Sequence, residues 1–341
     1  MGYQDAILAL GERTRTWLVT GAAGFIGSAL VEELCRRGQR VIGVDNFATG
    51  YRENLTDAVA AAGPGAGERF EFVEADICDA AAMNEVAAKA DIVLHQAALG
   101  SVPRSMEDPA GTHRANVDGF VNVALACKEN GVDRLVYASS SSVYGDHPKL
   151  PKTEAEIGTP LSPYAATKRI DEVYASVFAQ SYGMEIVGLR YFNVFGRRQD
   201  PEGPYAAVIP RWIGALLDGE RCTVFGDGEQ SRDFCYVDNA VQANILAAIT
   251  DGDFRSAVFN VGCGERITLR ELYAHIRGHI AASRPSLAAV EPVFEPERPG
   301  DIRHSQASIE AIRHELGYRP ALAVGDGLAE TVAWFSARRS S

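Results

Sequence analysis

Short β-branched runs alternate with longer helix-patterned stretches through the first half of the chain, and this alternation restricts the fold more than any other feature. Trp17-Leu18-Val19, Val41 to Val44, Phe70 to Val73, Ile92 to Leu94, Leu135 to Tyr137 and Ile186 to Leu189 read as strands. Phe25 to Arg37, stopped by Gly38, and stretches near 80–89, 111–130 and 163–182 read as helices. Strands joined through helices need right-handed crossovers, which produce a parallel sheet. Strands apolar on both faces need helices on both sides. The expectation is an α/β fold, a doubly wound parallel sheet with a smaller C-terminal lobe that binds substrate. Residues 1–15 read as an N-terminal arm or short helix, and 16–196 as the sheet domain, to which 233–262 return. Residues 197–232 and 263–341, richer in Gly, Pro and Arg, read as the lobe. Ala58 to Gly67 reads as a surface insertion.

Charge and composition exclude several classes of function. With 33 Lys+Arg against 45 Asp+Glu in 341 residues, the net charge is −12. An acidic chain without a basic run is a poor partner for nucleic acid or an anionic membrane. No apolar run approaches the roughly 18 residues that span a bilayer. The apolar stretch Ala6 to Leu10 is too short for a signal peptide. Six cysteines without a C-x-x-C pair point to a reducing cytoplasm. His275 and His279 have metal-ligand spacing, but Ile276 follows where a zincin has Glu and no third ligand is in view, so no metal is expected.

The turn after the first strand is Gly21-Ala22-Ala23-Gly24-Phe25-Ile26-Gly27, and it opens a helix. Glycines there let the backbone approach a pyrophosphate, and the helix N-terminus offers N–H groups and a positive dipole end. Asp45 ends the next strand, placed to accept bonds from ribose hydroxyls and to repel a 2′-phosphate. Asn46 follows it rather than Arg, which favours NAD. Asp76-Ile77 either meets the adenine or caps a strand end. Gln96-Ala97-Ala98 falls at the point where the strand order reverses, where ligands sit in such sheets. Arg197-Arg198 either touches phosphate or caps a strand.

Tyr164 and Lys168, four apart on a helix opened by Ser162-Pro163, share a face. A free Tyr titrates near 10, so a neighbouring cation is needed to make it a base at neutral pH. The Ser139 to Ser142 run ends a strand at the same edge of the sheet, where a hydroxyl can relay a proton to Tyr164.

Taken together, these motifs resemble the extended short-chain dehydrogenase/reductases, with a Rossmann-like sheet, and within them the UDP-hexose 4-epimerases. The resemblance runs from about Thr16 to Phe335. It is carried by Thr20 to Gly27, Asp45-Asn46, His95 to Ala98, Ser140 to Gly145, Ser162-Pro163-Tyr164 with Lys168, Leu189 to Gly196, and Arg232-Asp233-Phe234. It implies Ser140, Tyr164 and Lys168 as the catalytic set. It implies Asn116, Tyr164, Lys168 and Tyr191 beside the nicotinamide, with Gly21, Gly24, Phe25, Ile26, Gly27, Asp45, Asn46, Asp76, Ile77 and Gln96 to Ala98 holding the rest of NAD. It implies Gly100, Ser101, Ser140, Ser141, Asn193, Ala207, Val208, Arg232, Arg298, Asp301 and Ser305 around a UDP-sugar, and a homodimer.

Dehydratases of this family usually carry an Asp-Glu pair before the Tyr-Gly of the Ser loop, and decarboxylases a Glu. Here Ser142-Val143 stands there, which disfavours dehydration and UDP-glucuronate decarboxylation. In related epimerases a large Tyr at the position of Ser305 closes the hexose pocket, whereas a small residue admits a 2-acetamido group. The resemblance therefore points to 4-epimerisation of UDP-N-acetylglucosamine. UDP-N-acetylglucosaminuronate and UDP-glucose remain open, as does a non-catalytic NAD sensor, which the intact Ser140, Tyr164 and Lys168 disfavour.

Overall fold

The structure is a computed structural model that describes residues 2–202, 205–252, 254–297 and 302–339. Arg298 and Asp301 lie outside the described residues. Strands β1 (Thr16–Thr20), β2 (Arg40–Asp45), β3 (Phe70–Glu74), β4 (Ile92–His95), β5 (Arg134–Ser140) and β6 (Ile186–Tyr191) form one sheet with the Ala257–Val261 strand. From edge to edge the order is Ala257–Val261, β6, β5, β4, β1, β2, β3, and every pair is parallel. Trp17 lies opposite Val41 of β2 on one side and Ile92 of β4 on the other. The strand order therefore reverses at β1, leaving a crevice beyond the C-terminal ends of β1 and β4.

Period-two alternation along buried strands fills two cores. Trp17 and Val19 join the core that holds Leu30, Leu34 and Trp212, while Leu18 joins the one with Phe120, Tyr137 and Phe178. Both faces of the sheet are thus covered by helices.

One stretch differs from the sequence reading and another is decided by the structure. The first residues, read as an arm or short helix, form a helix, Tyr3–Glu12, that buries Ala6 and Leu10. Its Leu10 carbonyl accepts from Gln39 Nε2 at 2.8 Å, and Gln39 Oε1 accepts from Trp17 Nε1 at 3.2 Å, so it is tied to the sheet. Ala58 to Gly67 is no surface insertion. Its first half lies in the Arg52–Ala62 helix, which buries Leu55, Ala58 and Ala62 and packs on the Phe25–Arg36 helix, and Ala66 is buried as well. Alanine buried against alanine is apolar packing, which a Gly/Ala-rich composition disguises as a loop.

The lobe is built from the Val208–Leu217, Leu269–Ser283 and Val324–Arg339 helices packed on one another. Short strands pair within each part: Val194–Phe195 with Cys235–Tyr236 beside the sheet, and Ser231–Arg232 with Ile267–Thr268 in the lobe. All six cysteines are free; Cys35, Cys127, Cys222 and Cys235 are buried, whereas Cys78 and Cys263 are half-buried.

Candidate active site

A cavity of about 910 Å³ opens over the crevice and runs from Asp45 to Tyr205. At one end, the turn after β1 leaves the Phe25–Arg36 helix with no side-chain cap, so its first N–H groups face the cavity unpaired. The glycines are there for room. Gly21 has φ +67°, and a Cβ on it would lie 2.7 Å from the Ala97 nitrogen. A Cβ on Gly27 would lie 2.0 Å from the Gly21 carbonyl oxygen. This cradle of bare backbone at a helix N-terminus fits a pyrophosphate.

Asp45 sits at the next strand end. Its Oδ2 accepts from the Ala23 N–H at 3.0 Å and its Oδ1 from the Phe47 N–H at 2.8 Å. Burial pushes its pKa up while these backbone donors pull it down, and the balance lies above the ordinary value. The remaining lone pairs are left for ribose hydroxyls. Asn46 Nδ2 donates to Asp76 Oδ2 at 2.9 Å, and Asp76 Oδ1 accepts from the Cys78 N–H at 2.8 Å. Asp76 therefore caps the strand end and lines the cavity at once, so the two readings of it are compatible. Gln96, Tyr191 and Asn244 close a triangle: Tyr191 donates to Gln96 Oε1 at 3.0 Å, and Asn244 donates to the Tyr191 hydroxyl at 2.7 Å.

Ser140 ends β5, and its Oγ accepts from the Ser142 N–H at 3.1 Å and the Ser142 hydroxyl at 2.9 Å. Tyr164 and Lys168 come from the Pro163–Tyr182 helix, started by a Ser162 cap on the Ala165 N–H (3.1 Å) and ended by Gly183 at φ +69°. Ser140, Tyr164 and Lys168 line the same end of the cavity. Behind them Glu172 takes bonds from Arg190 (2.8 and 2.9 Å), Ser139 (2.7 Å) and Arg169 (3.0 Å). Its pKa falls below the ordinary value, because these donors outweigh its burial.

The structure gathers Gly21, Gly24 to Gly27, Asp45, Asn46, Asp76, Ile77, Gln96 to Ala98, Gly100, Ser140, Tyr164, Lys168, Tyr191, Asn193 and Ala207 around one cavity. Asn116 is not in its wall. It is buried behind it, accepting from the Leu99 N–H at 2.8 Å and donating to Thr167 Oγ1 at 3.0 Å, and so locks the loop after β4 to the Tyr164 helix. Ser101 caps the Val102–Glu107 helix through the Arg104 N–H. Ser101, Ser141, Val208, Arg232 and Ser305 do not line the cavity. Arg232 and Ser305 lie together, because Ser231 bridges His304 and accepts the Ser305 N–H at 3.0 Å. Arg197 and Arg198 do not line the cavity, and Arg197 donates to the hydroxyl of Tyr236, at the end of the Cys235–Tyr236 strand, at 3.2 Å. Both bind Glu32 of the Phe25–Arg36 helix, and Arg197 also binds Asp238. Sequence reasoning missed Tyr205 and underused Arg104, whose guanidinium stacks 5.0 Å above the Tyr205 ring at the far end of the cavity. No periodicity marks a loop residue that folds back onto a helix.

A phosphate cradle, a ribose carboxylate and a Ser–Tyr–Lys set along one sheet edge define a dinucleotide-dependent enzyme. Residues 17–262 match the NAD dependent epimerase/dehydratase family, and the chain belongs to that family. NAD is its cofactor. The chain is 40% identical over 320 residues to the UDP-glucose 4-epimerase of Mycolicibacterium smegmatis, covering 93% of this chain and 97% of that one. It is similar to the UDP-N-acetylglucosamine 4-epimerase from Methanobrevibacter ruminantium, solved with UDP-N-acetylmuramic acid (TM-score 0.87, 39% identity, 96% and 99% covered). It is also similar to the Thermus thermophilus UDP-glucose 4-epimerase, solved with NAD (TM-score 0.80, 36% identity, 94% and 98% covered).

Proposed function

We propose that the chain is a UDP-sugar 4-epimerase, with UDP-N-acetylglucosamine and UDP-N-acetylgalactosamine as its interconverting pair. One observation carries the reading: the reacting end of the cavity offers two hydroxyls and an ammonium, and no carboxylate. Of the lining carboxylates, Asp45 and Asp76 hold the ribose end, Asp200 is tied to the Tyr51 hydroxyl at 2.7 Å, and Glu202 is exposed on the segment after it. In the Ser140 loop, Ser142 bonds Ser140 and Val143 is fully buried. Water elimination across C5 and C6 needs its own acid and base in addition to the group that works at C4, and this end of the cavity has no carboxylate to supply them.

Bound NAD supplies an acceptor and donor for the C4 hydrogen and its electron pair. The protein manages the proton. The Tyr164 hydroxyl makes no hydrogen bond within the described chain, so it is free to take the C4 hydroxyl proton directly or through Ser140. Lys168 places a positive charge on the same helix face, which favours the phenolate. The 4-keto sugar turns over in the cavity, so that the returning hydrogen reaches the opposite face of C4, while Tyr164 returns the proton to the C4 oxygen.

The small side chain of Ser305, at the position where a large Tyr closes the hexose pocket in related epimerases, is the feature behind the acetamido sugar, and UDP-N-acetylglucosaminuronate and UDP-glucose are the alternatives to compare. A homodimer forming through the Gly119–Asn130 and Pro163–Tyr182 helices is part of the proposal. Its support is the exposed Leu125, Val173, Tyr174 and Val177 on those helices.

Proton NMR on the purified chain with UDP-N-acetylglucosamine and no added NAD tests the reading. Galacto-configured H4 signals are expected, faster than with UDP-glucose or UDP-N-acetylglucosaminuronate. Unchanged spectra in all three samples with an NAD-loaded chain overturn it.

A further inference from the structure

The Pro163–Tyr182 helix carries two adjacent buried carboxylates with opposite fates. Glu172 is saturated by Arg190, Arg169 and Ser139. Asp171 is half empty: Oδ2 accepts from Lys168 Nζ at 3.3 Å, and Oδ1 is buried with no partner. The Lys168 and Asp171 side chains are 3% and 1% exposed. This is the one hydrogen bond the ammonium makes among the described residues, and none joins it to Tyr164. The groups facing this pair are few. Glu172 lies on the same helix. β5 contributes Tyr137, whose hydroxyl is also buried without a partner, and β6 contributes Arg190, held by Glu172. From β4 comes His95, which burial and Lys168 keep neutral, its pKa pushed down to about 3.

An unsaturated carboxylate next to the lysine of the site has a cost that packing does not require, since an apolar side chain would fill the same space. We propose that Asp171 is a positioning residue for Lys168, holding its ammonium in the empty site and yielding it to the ribose hydroxyls of NAD as the dinucleotide binds. This rests on Lys168 serving the site as described above. Burial pushes the Asp171 carboxyl up to about 7. Below that pH the protonated carboxyl loosens its grip and leaves the ammonium's field at Tyr164 unopposed. Above it the carboxylate grips the ammonium and offsets that field.

The test is exchange of bound NAD against its fluorescent etheno analogue in the purified full chain, from pH 5.5 to 9. Affinity should fall several-fold across neutrality in the unaltered chain, and Asp171→Asn should remove the step and hold the low-pH affinity throughout. A flat profile in the unaltered chain, or a step retained by Asp171→Asn, overturns the proposal. If the Asn variant does not fold, Asp171→Ser is read by the same criteria, because its hydroxyl accepts from the ammonium without charge. Binding is the readout, so the two readings fail separately. A pH step without UDP-sugar turnover sinks only the epimerase, and turnover without the step sinks only the role of Asp171.

Discussion

Replacing Gly27 by Ala isolates the demand that the cofactor turn makes on the backbone. The new Cβ would sit 2.0 Å from the Gly21 carbonyl oxygen, where real Cβ atoms stay beyond 3.0 Å. Backbone rather than a movable side chain is in the way, so the Phe25–Arg36 helix must retreat by about 1 Å. It cannot do so freely, because it packs on the Arg52–Ala62 and Val237–Ile249 helices. Overpacking of this kind costs about 1–3 kcal/mol. At roughly 2–4 °C per kcal/mol for a domain of this class, Tm falls by about 2–12 °C. The uncapped N–H groups move with the helix, and a displacement near 1 Å at a binding site loses about 100-fold. The purified variant should therefore carry little NAD by absorbance ratio and melt earlier by calorimetry. Gly278→Ala is the matched control. It lies in the Leu269–Ser283 helix with nothing within 4 Å of its Cβ position, so the same substitution should stabilise by about 0.5–1 kcal/mol. A Gly27→Ala chain with full NAD content and an unchanged Tm would refute the steric argument.

Tyr164→Phe removes a hydroxyl that has no intrachain partner, so stability should stay within about 0.5 kcal/mol while turnover drops by about 10²–10⁴; equal Tm, retained NAD and lost H4 exchange by NMR are the expected set. Glu172→Ala strands Arg190, which is 3% exposed, and should cost about 3–5 kcal/mol in urea unfolding; a cost under 1 kcal/mol contradicts the buried pairing. Asp233 has its pKa raised to about 6 by burial, against three backbone donors. Its folded-state pKa lies above the unfolded value near 3.9, so its contribution to stability is full below about pH 4 and is lost as pH rises through 6, about 3 kcal/mol in all. Chemical unfolding from pH 3.5 to 7.5 should show that slope, and Asp233→Asn should flatten it at lower overall stability.

The sheet was legible because its strands are apolar on both faces and punctuated by glycine, so residues such as Leu18 and Val19 need no knowledge of neighbours to be placed. The cofactor turn and the Ser140, Tyr164 and Lys168 set were legible for a related reason: each depends on local spacing that a helix or turn fixes. What escaped depends on partners distant in sequence. Asn116 looks like a cavity residue until the π-helical turn Arg114–Asp118 rotates it onto Leu99 and Thr167. Arg197 and Arg198 look like phosphate ligands until Glu32 is seen to claim them. Asp171 on a helix looks like a solvated charge. The Arg52–Ala62 helix hides its buried face because alanine carries little hydropathic contrast.

β6 and the Ala257–Val261 strand are hydrogen-bonded neighbours, yet residues 192–256 run between them. The lobe is therefore split by the sheet: the Val208–Leu217 helix comes before the sheet's last strand, and the Leu269–Ser283 and Val324–Arg339 helices come after it. A chain stopped after Gly196 leaves β6 as a raw edge, with the apolar side chains of Val187 and Leu189 uncovered and a row of backbone groups open to other chains. During synthesis, the sheet cannot be closed until residue 261 has emerged, by which time only the first of the three lobe helices, Val208–Leu217, has been made. Evolution or an engineer wishing to change what this lobe recognises must edit it in place, because there is no joint at which to exchange it whole.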